Sequence, residues 1–150
     1  MRKQRSDSST SAVKAMVNAA KTHAVPKHCA LRPADMAFWD GILLSRAHDE
    51  WSPADLVVAA QLARTQADIE AQSKHLDAEG TVLENARGTP VMNPRVTVLE
   101  QLARREMALM RTLRMGGKAA GDARDSSASR KLETQSRKLR DELADDPLLA

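Results

Sequence analysis

Aromatic side chains are nearly absent: Phe38, Trp39 and Trp51 are the whole set, 2% of 150 residues, with no tyrosine. That scarcity argues against the ring-lined pockets in which organic cofactors sit, and no cofactor is expected. Cys29 is the only cysteine, so an intrachain disulfide and a cysteine-rich zinc site are both excluded and a reducing compartment fits. No run of about 18 apolar residues occurs, and the polar opening MRKQRSDSST lacks the apolar core of a signal peptide, so no membrane partner is expected. His23, His28, His48 and His75 are scattered, without metal-ligand spacing. Glycine patterns of phosphate-binding loops, dinucleotide sites and nucleophile elbows are also missing. Asp49-Glu50 and Asp145-Asp146 read as solvated charge. With no converging set of reactive groups, the chain is not expected to be an enzyme and no metal is expected.

What is present favours helix. Ala, Leu, Met, Arg, Glu, Lys and Gln dominate the middle of the chain, and these residues lose least conformational freedom in a helix. The formal charge of +3 conceals a strong pattern. Residues 1–30 carry six Lys/Arg against one acid, residues 31–94 five against ten, residues 95–114 five against two, and residues 115–150 seven of each. Basic ends around an acidic middle point to a polyanionic partner.

The Ser-rich first dozen residues read as disordered, followed by a short helix over SAVKAMVNAAK. Pro33 opens a second helix, to about 48, with Met36, Trp39, Ile42 and Leu43 at helical spacing. Ser52-Pro53 with Asp55 resembles a capping box that starts a long helix over 53–78. That helix has two faces, with Val58, Leu62, Ile69 and Leu76 on one and Ala60, Ala63, Ala67, Ala71 and Ala78 on the other, which suits close packing on both sides. Gly80 ends it. Residues 80–92 read as a β-hairpin or extended arm with its turn at Asn85–Gly88, marginal unless it lies on a helix or a neighbouring chain. Asn93-Pro94 starts another helix, to about 114, with Val98, Leu99, Leu102, Leu109, Met110 and Leu113 on a broad apolar face and Arg104, Arg105 and Arg111 opposite. Glu106 and Arg95 fall within the apolar face, so Glu106 must meet an arginine of another helix or chain, or sit at the rim. Residues 116–128 have linker composition, and a last helix follows with Leu132, Leu139 and Leu143 on one stripe, too few to hold it alone.

Over residues 32–115 the order of elements becomes specific: a tryptophan-bearing helix, the connector WSPADL, a long helix ending in AEGTVLENARGTPVMNP, then NPRVTVLEQLARREMALMRTLRM. This resembles the small subunit of a tailed-phage DNA-packaging terminase. The resemblance implies a mainly α fold, a helical hairpin core with a short β-hairpin or arm, assembled into a ring of roughly eight to ten copies. It implies a non-catalytic component that binds viral double-stranded DNA at the packaging site and delivers it to the large subunit, which holds the ATPase and nuclease. It also implies action in the cytoplasm of the infected bacterial host and absence from the mature virion.

Carried onto this chain, residues 1–50 become the basic tail and DNA-binding helices, 51–115 the oligomerisation core, and 116–150 the linker and motor-contacting helix. The first two helices depart from a typical helix-turn-helix, lacking its turn glycine, and the second is acidic (Asp35, Asp40, Asp49, Glu50). DNA contacts are therefore expected from Lys14, Lys21, Lys27 and Arg32, with Arg130, Lys131, Arg137 and Lys138 adding to them. Oligomer contacts are expected from Val58, Leu62, Ala63, Ala67, Ile69, Leu76, Leu99, Leu102, Glu106, Leu109 and Leu113. Two other readings fit basic ends and a helical core: a small dimeric helix-turn-helix transcription regulator, and a purely structural helical adaptor.

Overall fold

A computed structural model of the chain describes residues 9–115 and 123–144. It is mainly helical, with five α-helices and one two-stranded antiparallel sheet among the described residues. The helices are α1 (Ser9–Ala19), α2 (Pro33–Leu43), α3 (Pro53–Glu79), α4 (Pro94–Thr112) and α5 (Ala123–Ala144); strands β1 (Val82–Glu84) and β2 (Pro90–Met92) separate α3 from α4. None of the helices is long and apolar enough to cross a membrane, among the described residues. The chain groups into two compact units, one holding residues up to Ala24, Leu43–Pro53 and the chain from Lys118 onward, the other Val25–Ile42 and Ala54–Gly117.

In the second unit α2 starts at proline, whose fixed φ and missing N–H suit a first turn. Asp35, two residues on, reaches back and accepts the Arg32 backbone N–H at 2.8 Å, the acidic half of a capping box. α3 is the longest element, and its N-terminal half is sealed, with Ala59, Ala60, Leu62, Ala63, Thr65 and Ala67 all buried. The alanine stripe expected to be a spare contact surface is therefore covered within one chain at Ala60, Ala63 and Ala67, and open only at Ala71 and Ala78. α3 and α4 run antiparallel, since Gln66 pairs with Glu106 while Gln72 and Glu79 pair with Arg95. Glu106 thus meets neither an arginine nor open water but the Gln66 amide, at 2.9 Å.

Gly80 closes α3 in the left-handed region (φ +82°), its N–H donating to the Leu76 carbonyl at 2.7 Å. The hairpin that follows pairs Val82 with Met92, Leu83 with Val91 and Glu84 with Pro90. Its turn lies at the expected residues: the Asn85 side chain accepts from the N–H groups of Arg87 and Thr89, and Gly88 supplies a φ of +74°. Val82, Val91 and Met92 are exposed. Asn93 joins this hairpin to α4. Its Oδ1 accepts the Arg95 N–H at 3.0 Å, its Nδ2 donates to the Gly80 carbonyl at 2.9 Å and to Glu79 at 3.1 Å, and its own N–H donates to the Thr81 carbonyl. α4 has no buried residue from end to end; Leu99, Leu102, Leu109 and Met110 are half-buried and Val98 and Met107 exposed. It ends with Arg114 in the left-handed region (φ 55°), a position that glycine usually fills, ahead of Gly116-Gly117, which lie outside the described residues.

The first unit pairs elements far apart in sequence. α5 packs on α1 and begins at Ala123, earlier than the linker composition of residues 116–128 suggests. It is held by polar groups rather than by its leucines: Arg140 donates to the Ala19 carbonyl, Arg130 to the Ser45 carbonyl, and Glu133 accepts the His48 N–H, while Leu139 and Leu143 stay exposed. α2 stops at Leu43 rather than continuing to 48, and a 3-10 turn at His48–Glu50 takes its place. Trp51 is buried beneath the Arg46 guanidinium, 5.1 Å from the ring centroid.

Asn93 caps one helix and ties down the end of another, so Asn93→Ala should lower stability by about 2 kcal/mol, the loss of a cap plus unpaired acceptors. Urea unfolding followed by circular dichroism checks this; a loss below a few tenths would mean the junction is held by something else.

Candidate nucleic-acid interface

The basic residues expected to face DNA are divided between the two units. Lys14, Lys21, Arg130 and Lys131 lie in the first, Lys27 and Arg32 in the second. All six are exposed, yet three are already committed. The Lys14 ammonium sits 2.7 Å from Asp49, whose carboxylate raises its pKa. Arg130 donates to the Ser45 carbonyl at 2.8 Å. Arg32 is the most engaged: its fork meets both oxygens of Asp35, at 2.7 to 3.1 Å, and a further 2.7 Å contact reaches Asp68 on α3. Lys21, Lys27 and Lys131 have no carboxylate partner among the described residues.

Asp35 explains why Arg32 is so placed. Its side chain is fully buried, so its charge must be matched, and the Arg32 guanidinium holds its pKa below the usual carboxylate range. Arg64 lies at 4.0 Å on the other side. The acidity of α2, which from sequence looked adverse to DNA, is in this instance structural. Beside this pair opens a cleft of about 380 Å³ lined by Arg32, Gln61, Arg64, Thr65, Asp68 and Arg105. Sequence reasoning grouped Arg105 with the outer side of its helix and missed that it meets Arg32 and Arg64, residues more than forty positions away.

Around His48 the first unit builds a second polar centre. The His23 and His48 rings stack at 3.9 Å with 11° between their planes, and His23 Nε2 donates to the His48 carbonyl at 3.0 Å. The His48 N–H is shared by both oxygens of Glu133, a buried carboxylate 3.6 Å from Arg137. Burial raises the Glu133 pKa above its ordinary value, whereas burial, then His23 and Lys21, lower that of His48. Among the described residues no group of His, Cys, Asp and Glu is placed to hold a metal ion.

Of the residues expected at contacts between copies, Leu62, Ala63, Ala67 and Leu113 are buried within one chain, while Val58, Ile69, Leu76, Leu99, Leu102, Glu106 and Leu109 are half-buried.

Comparison with known proteins adds a direct finding. A family model described as the Hendrixvirinae small terminase family matches residues 1–150. The chain is also 33% identical, over 150 residues, to the terminase small subunit of Enterobacteria phage HK97, covering 97% of this chain and 93% of that protein.

The His48 centre predicts a pH effect of definite sign. Because the folded-state pKa of His48 lies below the ordinary 6.5, the unfolded chain binds the extra proton first, and stability falls as pH drops below that value. Glu133, with its raised pKa, acts the other way, stabilising as pH falls. Asn at position 48 keeps the backbone N–H for Glu133 and removes only the ring. The stability difference between wild type and His48→Asn, from melting curves, should therefore shift in favour of the variant between about pH 7.5 and about pH 5.5. An unchanged difference would show that His48 is not protonated differently in the two states.

Proposed function

The chain belongs to the Hendrixvirinae small terminase family, and from that premise we propose that it binds viral double-stranded DNA at the packaging site and delivers it to the large terminase subunit, whose activity it regulates. It is a phage terminase small subunit; the proposal concerns how it performs that role. It works as a closed ring of roughly eight to ten copies. It is itself non-catalytic, acts in the cytoplasm of the infected host, and does not remain in the mature virion.

The observation that carries the ring is α4. A helix of 19 residues with an apolar face and not one buried residue is incompletely covered by its own chain. Leu99, Leu102 and Leu109, with Val58, Ile69 and Leu76 of α3, supply the contact between copies, and Glu106 lies among them. Leu62, Ala63, Ala67 and Leu113 support that surface from inside. For DNA, Lys21, Lys27 and Lys131 are the groups with unspent charge; Lys14, Arg32 and Arg130 contribute only by sharing donors that protein oxygens already hold. Residues 116–150 are assigned to the large subunit, 1–50 to DNA and 51–115 to the ring.

Native mass spectrometry of the full chain at micromolar concentration should give one homogeneous assembly of many copies. A monomer or dimer would reject the ring, and a dimer protecting a short palindrome would favour a transcription regulator. Binding to duplex DNA should weaken steeply with salt, and Lys21→Ala, Lys27→Ala and Lys131→Ala together should lower the slope of log affinity against log salt by about 0.9 per phosphate no longer neutralised. Unchanged affinity would move the contacts elsewhere.

A further inference from the structure

The outer face of α4 is cationic along its length. At about 100° per residue, Thr97, Gln101, Arg104, Arg105, Ala108 and Arg111 fall on the side away from Leu99, Leu102 and Leu109, and all six are exposed. The only acid bordering this face, Glu100, is paired with Arg104 at 3.6 Å. The other charges of the helix are accounted for: Arg95 is bound to Glu79 and Gln72, and Glu106 to Gln66. Arg105 and Arg111 have no carboxylate partner among the described residues. Arg105 also enters the cleft where Arg32 and Arg64 stand, with three guanidinium groups against the two carboxylates Asp35 and Asp68.

We propose that this face, with the cleft at its edge, is a second DNA contact on the protein, taking phosphates of the duplex backbone on Arg105 and Arg111 with Arg64 behind them. It rests on the DNA-binding reading above and assigns to it a surface outside residues 1–50. Two arguments favour a phosphate backbone over a second copy of the chain. The centre of the face is Ala108, Gln101 and Thr97, with none of the large apolar anchors on which a protein interface relies. Its charge is of one sign, with donors in the fork geometry that grips phosphate oxygens. Arg105 and Arg111 are about 9 Å apart along the helix axis. That length spans two or three phosphates of one strand, at about 3.4 Å of duplex axis each.

The test is a salt titration of duplex binding with the full chain as wild type, Arg105→Ala/Arg111→Ala and Arg105→Lys/Arg111→Lys, together with native mass spectrometry of each. Neither arginine has a carboxylate partner among the described residues, so folding should be retained, and circular dichroism verifies it. The alanine pair should weaken binding roughly tenfold at low salt and lower the salt slope by about two, with copy number unchanged, while the lysine pair keeps most of the slope. Wild-type binding with an unaltered slope in the alanine pair would overturn the assignment and leave the DNA-binding reading standing. No wild-type binding at any salt would remove both. A changed copy number in the alanine pair would make the face a contact between copies and overturn the phosphate assignment.

Discussion

A chain with so few large apolar side chains cannot fix its geometry by packing alone, and the constraint that organises this one is the need to satisfy polar groups it has buried. Asp35, Asn93 and Glu133 are each almost wholly covered, at 0%, 1% and 1% exposure. A buried carboxylate or amide without partners costs several kcal/mol, so each accepts only the local arrangement that supplies its hydrogen bonds. Each stands at a junction: Asp35 fixes the start of α2 against α3, Asn93 joins α3, the hairpin and α4, and Glu133 pins the 3-10 turn to α5. Alanine-rich helices slide easily past one another, and directional bonds at their ends remove that freedom.

Burial along α3 then separates two tasks. Its first half is closed on nearly every side by small residues that permit close approach, while beyond Glu70 only Gln72, Ser73 and Leu76 are even half-covered. The hairpin and α4 continue the open half. A free two-stranded hairpin with Val82, Val91 and Met92 in water is marginal by itself, and α4 gains little from its own chain. The sealed half makes the protomer fold and the open half remains for association, which is the division expected of a subunit whose final stability comes with its assembly.

How much of this could be read from sequence followed how local the cause was. Asn93-Pro94, Gly80 and the Asn85–Gly88 turn were legible because each signature and its effect lie within a few residues. Distant partners leave no such signature. Glu106 was a visible anomaly, but Gln66 forty positions earlier could not be identified as its partner. α5 looked too weak to stand alone, and its support on the first unit comes from Arg140 and Glu133 across more than eighty residues, through hydrogen bonds that leave no periodic trace. The alanine stripe of α3 is periodic either way; only burial distinguishes a covered stripe from a free one.

Charge teaches the same lesson more sharply, because counting formal charges treats every cation alike. Arg32 is the basic residue nearest the tryptophan helix, yet moving its fork to a phosphate would strip a buried carboxylate of its principal partner, a loss of about 3 kcal/mol or more that a single exposed phosphate contact does not offset. Lys14 faces a smaller version of that choice with Asp49, where both groups are exposed and exchange costs little. Lys21, Lys27 and Lys131 face none, nor do Arg105 and Arg111 on the outer face of α4. A polyanion therefore meets a surface set by which cations the fold has left unspent, and on this chain that places as much usable charge on α4 as on the basic N-terminal segment.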